Sequence, residues 1–167
     1  MEPRPSSVEL WEPLGNYDRR NRVTISATGT ETVLYGLDTR NGPIVAGNGN
    51  YVGYLTMKYA QKGVIGSTGY NYNIWPYMRY TEVVLVYAEG CWELAQYDQT
   101  RTWVNFFRNR VMLPNTSATD AGLRDALRHE RKIELYCEEI RWFDIRRWLI
   151  FTQVMSLPEY GVDIKQI

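Results

Sequence analysis

From Trp75 onward the apolar residues recur at intervals of three and four, and this periodicity limits what the chain can become. Such spacing puts them on one stripe of a helix, which has to be covered by another element. "YMRYTEVVLVYAEGCWELAQ" (77–96) is apolar nearly all round and reads as a helix buried on several sides. Gly90 within it suggests a close helix contact, and Pro76 suits a first helical turn. "TRTWVNFFRNRVML" (100–113) places Trp103, Phe106, Phe107 and Val111 on one face and is closed by Pro114 and Asn115. A third helix is expected over 120–139, capped by Thr119 or Asp120. A fourth is expected from Ile140 to Met155, ahead of Pro158.

Residues 1–73 have a different composition, rich in Gly, Asn, Thr and Tyr. "RVTISATG" (22–29), "TETVLYG" (30–36) and "YLTMKYA" (54–60) alternate β-branched and polar residues and predict short strands. "NGPIVAGNGNYVGY" (41–54) and "GVIGSTGYNYN" (63–73) read as loops. The expected fold is therefore mainly α. A loop-rich segment with short strands (1–73) is followed by a four-helix segment (74–155) of tetratricopeptide-like hairpins and a tail (156–167). No signature repeats at a fixed period.

The 167 residues carry 19 basic and 19 acidic side chains, a balance that argues against a general polyanion binder. No apolar run has the length of a membrane span, and "MEPRPSSVEL" has no apolar signal core. Cys91 and Cys137 both sit in apolar helical patterns and read as buried free thiols.

"RHERKIELYCEEIRWFDIRRW" (128–148) is the most charged stretch, with eleven charged side chains besides His129. Basic residues interleaved with Trp142, Phe143 and Trp148 suit single-stranded nucleic acid. Five carboxylates in the same stretch oppose that use. "HERKIE" opens like a zinc-protease helix, but the second histidine is replaced by Ile133 and the chain has no other histidine. Glu130, Glu134, Glu138 and Arg141 fall in line on an unbroken helix, but each carboxylate has a basic residue within four positions, which gives ordinary ion pairs. Ile133, Tyr136, Cys137, Ile140 and Phe143 face the core in this reading. Glu130, Arg131, Glu134, Glu138, Arg141, Asp144 and Arg147 then form a structural clasp, and Arg141→Ala is expected to lower stability. No catalytic residue, metal or cofactor is expected.

Three blocks resemble the RagB/SusD family. "RYTEVVLVYAEGCWEL" (79–94) matches through Arg79, Glu82, Leu85, Tyr87, Ala88 and Glu89. "VNFFRNRVMLP" (104–114) matches through Asn105, Arg108, Arg110, Leu113 and Pro114. "RHERKIELYCEEIRWFDIRRW" matches through His129, Glu130, Arg131, Glu134, Leu135, Glu138, Arg141, Trp142, Asp144, Arg147 and Trp148. "NYDRRNRVTIS" is similar to the family's Asp-Pro-Arg segment entering a strand, with Arg19 in place of the proline.

The resemblance implies a surface-exposed outer-membrane lipoprotein of Bacteroidetes that captures glycans without cleaving them. It would deliver them to a TonB-dependent, SusC-like transporter. Family members are several times longer, so the chain is read as a C-terminal part, and the implied lipid anchor lies outside it. The matching blocks are scaffold blocks. For glycan contact the chemistry favours Tyr70, Tyr72 and Trp75, since sugars stack their apolar faces on aromatic rings. The competing expectations are a helical protein-interaction module that binds no sugar and, as a third, a glycoside hydrolase.

Overall fold

The computed structural model describes residues 18–27, 33–34, 37–38, 44–45, 51–52, 54–56, 58–59 and 73–156. Of these, 21–75 and 153–156 belong to one compact unit, and 18–20 and 76–152 to a second.

The first unit contains three two-stranded antiparallel ladders. β1 (Ile25–Ala27) pairs with β6 (Tyr54–Thr56) in the register Ile25↔Thr56 and Ala27↔Tyr54. β2 (Val33–Leu34) pairs with β3 (Leu37–Asp38), and β4 (Ile44–Val45) with β5 (Tyr51–Val52). The strand expected over 22–29 is shorter, because a helical turn, α1 (Arg20–Thr24), precedes it. Its cause is local. The Asp18 carboxylate accepts the Arg20 backbone N–H at 2.9 Å, an arrangement that starts a turn. The segment expected as loop over 41–54 holds the β4–β5 ladder.

The second unit is helical: α2 (Tyr80–Glu93), α3 (Tyr97–Arg110), α4 (Asp120–Glu134) and α5 (Ile140–Arg147). A further turn, α6 (Phe151–Met155), follows. A three-residue connection makes α2 and α3 a hairpin. Val84, Leu85 and Ala88 of α2 meet Val104 and Phe107 of α3, with Leu127 of α4 and Leu135 beyond it. Burying a side chain of this size contributes roughly 1.5–3 kcal/mol. Thr100 fastens the hairpin from inside, its hydroxyl donating to the Ala88 carbonyl at 3.1 Å. The Trp92 indole N–H ties α2 to the start of α4 through the Asp120 carbonyl at 3.1 Å.

Three helices end the same way. Gln96 N–H donates to Cys91 C=O, Leu113 N–H to Arg108 C=O, and Ile150 N–H to Ile145 C=O, at 2.8, 2.9 and 3.0 Å. Each stop carries a residue in the left-handed region: Ala95, Met112 and Leu149, at φ 55°, 62° and 58°. Glycine usually takes this place, so these ends carry no glycine signal in the sequence. The expected fourth helix is cut at Leu149 for this reason.

The third helix stops at Glu134 rather than 139. Arg79 donates to the Glu134 carbonyl at 3.0 Å, and Cys137 and Glu139 adopt φ 61° and 63°. The restart changes the helical phase. Phe143, expected in the core, is 65% exposed, while Leu135 is buried. Gly90 also departs from expectation, since a side chain there would meet no atom within 4 Å. Cys91 is buried, Cys137 is partly buried, and both are free thiols.

Candidate functional site

The charged residues of the second unit form a net around the helical core. Arg20 is buried within it, at 8% exposure. It grips Asp18 with Nε and Nη2, at 2.9 and 2.6 Å, and its Nη1 reaches Glu130 and Glu134 of α4, the latter at 3.1 Å. Burial works to lower the Arg20 pKa, but Asp18 and Glu130 outweigh it and raise the value. Glu130 is fully buried, and burial raises its pKa despite Arg20. Among the described residues its Oε2 has no hydrogen-bond partner.

Among the described residues, three cations share Glu134. Besides Arg20 it holds Arg110 at 2.5 Å and Arg79 at 3.7 Å. Arg79 in turn binds Glu138 at 2.7 Å. Arg79 is the residue immediately before α2, where Ser, Thr, Asp or Asn would ordinarily cap the helix. Its side chain reaches across to the end of α4 instead.

A second chain of pairs runs through α5. Asp144, 2% exposed, accepts from Arg131 at 2.7 Å and from Arg147 at 3.0 Å. Arg131 also lies 3.9 Å from Glu82. Arg147 forks onto Glu89 with two bonds of 2.6 and 2.5 Å, and the Trp148 indole N–H donates to the same carboxylate at 2.6 Å. Burial would raise the Glu89 pKa, but these donors lower it. A planar guanidinium suits such two-point contact better than an ammonium does.

The middle block acts on the loop between α3 and α4. Asn105 accepts the Thr116 backbone N–H at 2.7 Å and donates to the Thr116 carbonyl at 3.3 Å. Arg108 donates to the Pro114 carbonyl at 2.6 Å, and Leu113 is buried. The three sequence blocks thus supply the core, the loop clamp and the ion-pair net of one helical unit.

Six of the seven residues grouped as a clasp lie in this net: Glu130, Arg131, Glu134, Glu138, Asp144 and Arg147. Arg141 does not. The helix on which it aligned with Glu138 is broken at Cys137 and Glu139, and α5 turns it onto Trp148, 5.9 Å from the ring centre. The expectation that Arg141→Ala lowers stability by breaking a pair is corrected accordingly. Sequence reasoning missed Asp18 and Arg20 as members. The signal was present in "NYDRRN", and Arg19, which stands where the family has proline, is exposed and leaves the pair intact.

Of the residues favoured for glycan contact, Tyr70 and Tyr72 lie outside the described residues. Trp75 is 52% exposed and leans on Tyr59 in the first unit, with ring centres 5.0 Å apart and planes at 54°. Asn73 donates to the Tyr59 carbonyl at 2.8 Å beside it. In the second unit, Trp142, Arg146, Leu149, Phe151 and Thr152 line an open depression of about 480 Å³. Trp142 and Phe151 meet edge to face at 5.3 Å, and Arg146 lies over Trp142 at 5.4 Å. Among the described residues no group of three His, Cys, Asp or Glu side chains is placed to hold a metal ion, and no helix is long and apolar enough to cross a membrane.

Comparison with known proteins places this arrangement. The model of the SusD family matches residues 3–166. The SusD-like protein P2 of Formosa agariphila is 34% identical over 115 residues, covering 62% of this chain and 23% of the relative. The fold superposes on a SusD superfamily protein from Bacteroides vulgatus with a TM-score of 0.77 at 23% identity, covering 93% of this chain and 35% of the other. A SusD-like protein from Bacteroides fragilis gives a TM-score of 0.63 at 28% identity, covering 84% of this chain and 29% of the other. The chain therefore spans roughly a quarter to a third of the length of the relatives it matches. With the family model matched along nearly all its length and the family's motif residues gathered in one helical unit, the chain belongs to the SusD (RagB/SusD) family.

Proposed function

We propose that this chain is the largely scaffolding C-terminal part of a surface-exposed outer-membrane lipoprotein. That protein captures oligosaccharides without cleaving them and delivers them to a TonB-dependent, SusC-like transporter. Membership of the SusD family across residues 3–166 carries the proposal. The chemistry of the net supports a non-catalytic role. Glycoside hydrolysis requires two carboxyl groups facing a sugar, whereas Glu89, Glu134, Glu138 and Asp144 are all engaged by arginines.

The proposed glycan contact is Trp75, with Tyr70 and Tyr72. Residues 1–73 supply Tyr70 and Tyr72, 74–155 supply Trp75 and the helical support, and 156–167 form a tail. The test is calorimetric titration of the chain with a panel of oligosaccharides, run beside an assay for reducing ends. Binding without release supports capture. Release of reducing sugar by the purified chain refutes it.

One observation favours a second role, docking of the helices on a protein partner. Tyr80, Val83 and Tyr87 recur at three- and four-residue spacing on α2 and are 73%, 50% and 53% exposed, making an apolar stripe. Polar substitutions at Val83 and Tyr87 that leave glycan affinity unchanged but abolish partner capture would assign the helices to docking.

A further inference from the structure

A group of cations on α4 and α5 stands apart from the net. Arg124, Arg128 and Lys132 follow one another at intervals of four and so share one face of α4. Arg128 and Arg141 lie over the same ring, 4.7 and 5.9 Å from the centre of Trp148, so α5 adds a fourth cation to that face. Arg147 also covers this ring, at 4.9 Å, but its charge is held by Glu89 and Asp144. Among the described residues Arg128, Lys132 and Arg141 form no ion pair, and the buried Nε of Arg124 has no hydrogen-bond partner.

The carboxylates nearby are engaged elsewhere. Arg141 feels Asp144, which Arg131 and Arg147 hold. Arg128 feels Glu89, bound by Arg147 and Trp148, and Asp125, which is exposed and 3.7 Å from Arg124. Burial first, and Arg141 second, bring the Lys132 ammonium down to about 8. Burial lowers Arg128 and Arg141 as well, helped by Arg124 at Arg128 and by Arg128 at Arg141. Partly buried like charges without a counter-ion are costly, and the component that relieves them is an oxyanion.

We propose that Arg128, Lys132 and Arg141 form a binding site for the carboxylate or sulfate of an acidic sugar in the captured glycan. The assignment rests on the glycan reading above. A sugar is favoured because α5, which supplies Arg141, also carries Trp142, 48% exposed, whose ring lines an aromatic depression with Phe151. That space is within the range of small-molecule sites.

The test is titration of the wild-type chain, Lys132→Met and Arg141→Gln with oligogalacturonate, sulfated galactan oligosaccharide, a neutral gluco-oligosaccharide and poly-glutamate. An acidic oligosaccharide should bind the wild type and lose at least about tenfold in affinity in Lys132→Met. That variant should fold with an undiminished Tm, because it removes a repelling charge. Equal acidic-sugar affinity in all three proteins overturns the proposal. If only the neutral oligosaccharide binds, glycan capture stands and the acidic site falls. If poly-glutamate binds and no sugar does, the cations serve a protein carboxylate, and the acidic-sugar assignment is overturned. Absence of all binding overturns both readings for this chain.

Discussion

Replacing Arg20 with alanine should damage the fold more than any other single loss in the net. Arg20 touches three carboxylates, of which Glu134 retains Arg79 and Arg110. Asp18 and Glu130, 1% and 0% exposed, would lose their guanidinium partner. Removing one member of a buried pair costs about 3–5 kcal/mol, because the other is left charged and dry. A domain is stable by about 5–15 kcal/mol in total, so the variant should lie near the edge of folding. The cost also has a pH signature. Without Arg20 the folded-state pKa of Glu130 rises further above its unfolded value, so folding then takes up a proton. The defect should be full at neutral pH and shrink as pH falls through that raised value. Urea unfolding followed by tryptophan fluorescence at pH 5 and pH 7.5 measures both effects. In a Glu130→Gln background, the cost of Arg20→Ala should fall by at least about 1.5 kcal/mol. A loss under about 1 kcal/mol at pH 7.5, with no pH dependence and no coupling to Glu130, would show that Arg20 does not neutralise these buried carboxylates.

Two smaller effects follow from the same geometry. Gly90→Ala fills open space on an exposed helical turn and should raise stability by about 0.5–1 kcal/mol, read from the urea midpoint at unchanged slope. Lys132→Met should be more stable than the wild type below pH 8, and the difference should close between about 8 and 10.5. The unfolded chain binds the Lys132 proton more tightly than the folded chain does, so wild-type stability rises across that window. Lys132 is partly exposed, and solvent screening brings the gap to roughly 1–2 kcal/mol. A gap that stays constant with pH would show that Lys132 is not under this strain.

The helical half was legible because its signal is periodic. Phe107 is found by spacing, whereas Phe106, assigned to the same face, is 50% exposed and Val104, left out of it, is fully buried. The helix ends were less legible, since Ala95, Met112 and Leu149 take left-handed conformations without the glycine that usually marks them. The break between α4 and α5 could not be read either. It depends on Arg79, 55 residues from the carbonyl it holds at Glu134. A still longer separation hid Arg20, whose partners on α4 lie 110 and 114 residues away. Local spacing allotted Arg141 to the net by assuming one continuous helix, and the break moved it onto Trp148. Charges that pair along one helix can be inferred from sequence. Charges that pair between elements become visible only once the fold brings them together.

The proposed function puts stability and glycan recognition in different residues. Comparing Trp75→Ala with Arg147→Gln, with Tm and oligosaccharide affinity measured on each, tests that separation. Trp75 is half exposed, and its loss should weaken glycan binding while leaving Tm within about 2 °C. Arg147→Gln breaks the fork onto Glu89 and should lower Tm by several degrees while leaving affinity unchanged. The reverse pattern, with affinity lost in Arg147→Gln at normal Tm and retained in Trp75→Ala, would contradict the account and place recognition in the ion-pair net.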